Sequence, residues 1–584
     1  MTVDVGSGHA TAPSIAKLRG GLLTARMILV RTVVATVTES APDTAAAAGL
    51  SDAYQFLAAL QGRHPIEVAT ALSYPHVGAW ISRVLQRVRE PANDAEPPVW
   101  ADCAYLGWIA AAAGIACQPN GSMRLVVRNG VVMLPGIGMV RLGPTNHNGY
   151  CELRWTDTGA LHFMGGSAVV HVSAARIESH PRWLPLRRVQ GADTESPVLL
   201  DDLDPFRELA SDGPTPVRLT IEQSARWQQD FAAAWELLSH ELAHYLEPMR
   251  GCLDMLAPLS SEALVHSTSY TAYSGVGCVY TTAAVDPCQL ALTLIHEVQH
   301  TKLNMLADQV LLLTPDHTAR FYAPWRDDPR PIFGLLHGIY AFFGVCDFWR
   351  VHRNSPCHGS LIAHIDFQLG WAQVESAMTQ VVESGLLTTA GHQLCDALAR
   401  NMRSWASEYI PEKARLVASE VATAHRPYWR LRNLMPAADG ITDLAARWTA
   451  GHPRPDVLPP AALIDQQRIP DRYSGLHLAA QLKASDTAAA KAMSSPDQPD
   501  GDRSYLAGHP LESFARYTQD LQHDPLRPQV WAGLALTLPK LFKNIDFGIL
   551  QERAEVAAHL YSALGPQTPI VDLLRWLSNS RVDD

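Results

Sequence analysis

The spacing of apolar residues changes period several times along the chain, and each change predicts a different element. From residue 14 to 40 apolar positions recur every three or four residues, the pattern of a helix. An Ala-rich link, APDTAAAAGLS (41–51), leads to a second helical group with turns marked by Pro65 and Pro75, and then to a small-residue helix, ADCAYLGWIAAAAGIAC (101–117). At Met123 the period shortens. β-branched runs flank Asn129-Gly130 and Thr158-Gly159, both hairpin signals, so strands are expected over roughly 120 to 190. Helical spacing returns from about 217 to Pro258, and the Gly-punctuated stretch TAYSGVGCVYTTAAV (271–285) reads as a strand pair feeding the next helix.

That helix, in 286–310, has a written start. Asp286 suits the N-cap, Pro287 the first helical position and Gln289 the reaching side chain of a capping box. Apolar residues follow at Leu290, Leu294, Ile295, Val298, Leu303, Leu306 and Val310. Another helix is expected from near Phe333, and more fill most of 359–450. KASDTAAAKAMSSPDQPDGDRS (483–504) is poor in bulky apolar residues and reads as a disordered linker before further helix pairs. The expectation is an α+β, predominantly helical chain: an N-terminal helical region (1–118), a β-rich section (119–216), a helical metal-binding catalytic core (217–482), a linker (483–506) and a C-terminal helical module (507–584).

Composition narrows the function classes. A formal charge of -11 without a long basic run argues against nucleic acid as the main partner. The first apolar run, MILVRTVVATV (27–37), is broken by Arg31, and no span reads as the roughly 18 to 20 apolar residues a membrane helix needs. A soluble, cytoplasmic protein with no membrane partner is therefore expected. Nine cysteines without CxxC spacing suit a reducing compartment and offer no zinc ribbon or iron–sulfur framework. Arg83 and Arg87, one turn apart, read as a solvated helix face, and Asp201, Asp202 and Asp204 as an acidic loop rather than a site for a hard cation.

The chemistry concentrates in His296, Glu297 and His300, an HExxH motif. At 3.6 residues per turn both imidazoles leave one side of the helix, close enough to share an ion, and the dry approach LALTLI suits a reactive metal. A second HExxH, His240, Glu241 and His244, lies on another expected helix among acidic residues; with Glu262 it makes a rival peptidase site. At the later motif, Leu303 and Leu306 stand where a metzincin needs Gly and His, and no Glu occurs between Glu297 and Glu375. His337, among Leu336, Gly338 and aromatic residues, is the best candidate for a third ligand; the alternative is an ordinary buried histidine. Three His, or two His and a carboxylate, suit Fe(II) as well as Zn(II). If the metal is iron with a bidentate 2-oxo acid, Arg330 or Lys302 can supply the charge for its far carboxylate. The planar fork of Arg330 suits that task better, and either residue can equally be a surface cation.

Four blocks in order, YPHVGAW (74–80), LDDLDPFR (200–207), LIHEVQHTKL (294–303) and RPIFGLLHGIYAF (330–342), resemble the HExxH-motif domain proteins encoded with ribosomally made, modified peptides. The resemblance covers most of the chain. It implies an Fe(II)- and 2-oxoglutarate-dependent hydroxylase acting on the β-carbon of a residue in a ribosomal precursor peptide. It favours His296, His300 and His337 as iron ligands, Glu297 and Gln299 close to the reaction, and Arg330 at the cosubstrate. A zinc metallopeptidase that trims the precursor, and a peptide-binding scaffold with a structural metal, are the alternatives.

Overall fold

The computed structural model describes residues 1–90, 97–143, 148–166, 168–173, 180–192, 197–207, 218–259, 269–316, 318–355, 360–464 and 498–578. The chain is α+β and predominantly helical, with small sheets, and it divides into two compact units, Met1–Leu311 and Leu312–Asp584. The boundary falls inside the stretch read from sequence as one catalytic core.

In the first unit, helices run from the N-terminus to Cys117 and strands begin at Gly121. Thr158-Gly159 is a true hairpin: Gly159 takes a positive φ, and Tyr150–Trp155 pairs antiparallel with Leu161–Gly165. Asn129 and Gly130 also both take positive φ, as a tight turn demands. The strand before that turn pairs elsewhere, however. Gly121–Val126 joins Tyr150–Trp155, whereas Val131–Leu134 joins Gly138–Arg141, so the turn hands the chain from one sheet to another.

A third sheet positions the motif helix. Its five strands lie in the order Ser269–Tyr270, Cys278–Thr281, Met255–Pro258, Val198–Leu200, Arg187–Val189, and Met255–Pro258 runs parallel to both neighbours. Cys278–Thr281, buried along its whole length, leads into the helix Pro287–Ala307. Asp286 caps that helix by accepting from the Gln289 N–H at 2.8 Å, while the Gln289 side chain reaches back to the Val285 N–H at 2.8 Å, one residue before the cap. Leu294, Ile295, Val298, Leu303, Met305 and Leu306 are all buried, so the helix lies in the interior rather than along its edge. Helices Ala12–Ser40 and Ile221–Glu241 pack against it.

The acidic segment after Val198–Leu200 is not solvated. Asp201 and Asp204 are fully buried, and Asp202 nearly so. Asp201 Oδ2 accepts the Tyr74 hydroxyl and lies 3.4 Å from His76 Nε2, Asp201 Oδ1 accepts the Leu203 and Asp204 N–H groups, and Asp204 Oδ2 accepts the Tyr105 hydroxyl at 2.5 Å. Blocks 74–80 and 200–207, far apart in sequence, are therefore one buried polar junction. Burial raises both carboxyls. At Asp201 the His76 and Tyr74 contacts outweigh it and hold the group low, whereas Asp204, beside the Asp201 charge, stays above the ordinary carboxyl range. Gly78 lets its helix touch the loop 271–277: a Cβ there would stand 1.9 Å from the Ser274 carbonyl oxygen.

Arg83 and Arg87 likewise leave the expected solvated face. Both donate to Asp102 Oδ2, Arg83 at 3.2 Å, and Arg128 donates to Asp102 Oδ1 at 2.7 Å, around a carboxylate with no exposed surface. Asp102 is raised by burial but lowered further by Arg128 and Arg87, so its pKa ends below the ordinary value.

Among the described residues, three helical stretches have the length and hydropathy to cross a membrane, contrary to the expectation from sequence: Ala12–Ser40, Val99–Cys117 and Ile332–His352, with 22%, 72% and 61% of their apolar windows buried in the fold. In the first, charged residues do not exclude a long apolar window. Its Arg26 is buried and donates to the carbonyls of Leu72, Tyr74 and Val276.

The second unit packs Ile332–His352 against Ser360–Glu383. The helices expected as an appended C-terminal module share one core with earlier elements: Leu431, Ile441 and Leu444 pack with Trp531, Leu550 and Leu574. Arg430 grips buried Glu555 with two bonds, at 2.6 and 2.8 Å. Residues 465–497, which include most of the expected linker (483–506), lie outside the described residues, and the linker's last part forms the helix Asp500–Leu506.

Two outcomes follow. Asp102→Asn leaves three arginines around a neutral group and should cost about 3–5 kcal/mol in urea unfolding. Because the folded pKa of Asp102 is depressed, its contribution is present above the unfolded value near ~3.9 and lost as pH falls toward the folded one, so the acid limb of the stability profile should flatten in the variant. Leu294→Ala should cost about 2–5 kcal/mol by the same assay, through the cavity left in the interior.

Candidate metal centre

His296 and His300 stand one turn apart on a helix with no break between them, and their Nε2 atoms face each other at 3.2 Å, with ring planes at 87°. Two nitrogens each bound at ~2.1 Å to one ion, at angles of about 90–110°, lie roughly 3.0–3.4 Å apart. The pair therefore has the spacing of two ligands of one metal. Both imidazoles are half-buried, and desolvation lowers the pKa of His296 although the Glu297 charge opposes it.

Glu297 is buried and pinned. Oε1 accepts from Ser269 Oγ and Oε2 from Thr271 Oγ1, each at 2.7 Å, and Thr271 also reaches the Glu297 carbonyl at 3.2 Å. These hydroxyls belong to the edge strand and the loop that follows it. Sequence reasoning missed them; the hydroxyl-rich run before the strand pair was the available signal. A carboxylate tied at both oxygens sets the helix rotation and is poorly placed to serve as a freely swinging base.

Gln299, expected near the reaction, is fully buried, and neither atom of its amide has a hydrogen-bond partner among the described residues. Three residues after His296, it lies about 60° around the helix from that histidine, bordering the imidazole face. Lys302 does not border it. Its ammonium is fully buried and donates to the Gly8 carbonyl at 2.7 Å and more weakly to that of His9, with Tyr245 beneath it; desolvation pushes its pKa down to about 7. A role clamping a cosubstrate carboxylate is thus taken from Lys302 by the N-terminal segment.

The other expected residues belong to the second unit. His337 leaves the first turns of Ile332–His352 with its ring edge-on to Phe333 at 4.5 Å. Burial first, and then the Arg330 charge, push it down to about 4, so it is a neutral imidazole. Arg330 donates to Asp328 at 3.2 Å through Nη1, while its Nε is buried without a hydrogen-bond partner among the described residues. Gly338 admits Trp325, which stacks on Phe342 at 4.5 Å. A neutral imidazole and an arginine with an unused donor therefore stand together within this unit.

The rival HExxH is broken. Helix Ile221–Glu241 ends inside the motif, Leu242 leaves helical geometry at φ -133, and Ala243–Tyr245 is a short 3-10 turn. His240 and His244 thus lose their common helix face, and His244 instead packs on His9, ring centroids 4.4 Å apart. Glu262 lies outside the described residues.

A cavity of about 860 Å³ in the first unit is lined by Tyr74, Trp235, Met249 and Asp254 among others, and by neither histidine of the central motif. No protein-family model matches the chain, and no curated protein matches it.

Removing the hydroxyls tests the pinning. Ser269→Ala and Thr271→Val should each destabilise the fold by about 1–3 kcal/mol by leaving a buried carboxylate oxygen without its donor, as read by denaturant melts. No change in either variant would refute the role given to them.

Proposed function

We propose that the protein is an Fe(II)- and 2-oxoglutarate-dependent oxygenase that hydroxylates the β-carbon of a residue in a ribosomally made precursor peptide, in the cytoplasm. The observation that carries the reading is the facing His296 and His300 nitrogens at 3.2 Å. The donor set fits iron and zinc alike, and the choice of iron rests on the sequence resemblance. The roles of His337 as a further ligand and of Arg330 as the partner of the cosubstrate's far carboxylate rest on the sequence resemblance alone. When bound, iron with 2-oxoglutarate supplies the oxidising power, which the side chains lack.

The chain's own contribution is positional. Glu297, held by Ser269 and Thr271, fixes how far the helix is rotated and hence where both imidazoles point. Leu294, Ile295 and Val298 anchor the rest of the helix in the interior, both imidazoles stay half-buried and open to a ligand, and the Gln299 amide offers a donor and an acceptor beside them. The zinc peptidase reading needs Glu297 to take a proton from metal-bound water; its two engaged oxygens weigh against that.

Co-expression with a ribosomal precursor peptide, followed by mass spectrometry, decides the matter: a gain of one oxygen is expected, truncation would indicate the peptidase, and an unchanged peptide the scaffold. Anaerobic addition of Fe(II) and 2-oxoglutarate should give a visible charge-transfer band that His296→Ala with His300→Ala abolishes and that His337→Ala weakens. Glu297→Gln should retain some hydroxylation, whereas a peptidase would lose all activity.

A further inference from the structure

A second group of ligand atoms lies in the first unit, on elements the proposed function does not use. His64 precedes the helix Pro65–Ser73 as its N-cap, Glu67 sits in that helix's first turn, and Cys117 ends the helix Tyr105–Cys117, which packs against it. One ligand atom from each, an imidazole nitrogen, a carboxylate oxygen and a sulfur, lies within 4.8 Å of the other two. All three residues are half-buried. Cys117 is the one cysteine among those described that is not buried. No arginine or lysine pairs with the Glu67 carboxylate among the described residues, so two groups that become anionic on ionisation converge without a balancing cation.

We propose that His64, Glu67 and Cys117 bind a zinc ion that ties the start of one helix to the end of another. Sulfur, nitrogen and oxygen donors in one place suit Zn(II), and hard cations such as magnesium do not take thiolate. The position of Cys117 decides between this and the other chemistry a Cys, a His and a Glu invite, nucleophilic catalysis. Reactive thiolates are favoured at helix N-termini, where unpaired N–H groups stabilise the anion. Cys117 ends its helix, where exposed carbonyls favour a cation. Zinc binding displaces one proton from Cys117 to solvent and forms the Zn–S bond. Glu67 also lines the large cavity, so water reaches the cluster and can complete a four-coordinate ion.

The test uses the full chain carrying His296→Ala and His300→Ala, so that the central motif contributes no metal and its fate is read separately. Co(II), as a spectroscopic stand-in for zinc, should bind at one equivalent with a sulfur-to-cobalt charge-transfer band. Cys117→Ser should abolish that band, and His64→Ala and Glu67→Gln should each weaken affinity roughly tenfold or more. Circular dichroism of the metal-free variants establishes that each remains folded, and a variant that unfolds is replaced by the second readout, protection. Zinc should slow alkylation of Cys117 by iodoacetamide at least about tenfold in the otherwise unchanged chain. A folded chain with no thiolate band, a band that survives Cys117→Ser, or alkylation that is fast and indifferent to zinc would overturn the proposal; the last would point to a free nucleophile instead.

Discussion

A carboxylate placed in an apolar interior must be met on every side, and the first unit is organised around meeting Asp201. Its partners come from the helix turn at Tyr74 and His76 and from the backbone of its own loop, while Tyr280, on the strand that feeds the motif helix, touches His76 from the other side at 3.3 Å. Desolvating that charge without these contacts would cost several kcal/mol, so the N-terminal helices, the acidic segment and the mixed sheet are bound to one arrangement. The sheet then delivers Cys278–Thr281 and the helix behind it to a fixed place.

The same logic descends one level to the facing histidines. Gly78 permits the close approach of its helix to the loop 271–277, that loop supplies Thr271, and Thr271 with Ser269 holds Glu297. The rotation of the motif helix is thereby set by contacts that begin 200 residues earlier in the chain. Geometry at the imidazoles is a result of packing, and the second residue of the motif serves that packing.

What was legible in the sequence was local. The Asp286 cap, the Pro287 start, the hairpin at Thr158-Gly159 and the common face of His296 and His300 each depend on a few consecutive residues. The partner of a strand does not: alternation tells which face is buried and says nothing of which neighbour it meets, so Asn129-Gly130 gives a turn closed by the Arg128–Val131 bridge while the strands on either side join different sheets. Likewise, a string of residue types cannot show that the helix through His240 stops at Glu241. Charge was the least legible property of all. Arg83, Arg87 and the acidic run at 201–204 were assigned to solvent by type, whereas buried opposite charges or hydroxyls, supplied from distant segments, brought them inside. A single arginine such as Arg31 does not interrupt a long apolar helix: Ala12–Ser40 runs through it, and Arg26 in the same helix is buried and satisfied by three carbonyls.

The mixed sheet carries a kinetic implication. Its central strand, Met255–Pro258, is aligned with Val198–Leu200 on one side and Cys278–Thr281 on the other, and no parallel pairing can be nucleated by a tight turn. Loops of tens of residues must close before any of these pairs is rewarded, so the sheet is a slow step in the assembly of the unit. The facing imidazoles of His296 and His300 are consequently set in place late, because the helix that carries them follows the last strand of this sheet to be paired.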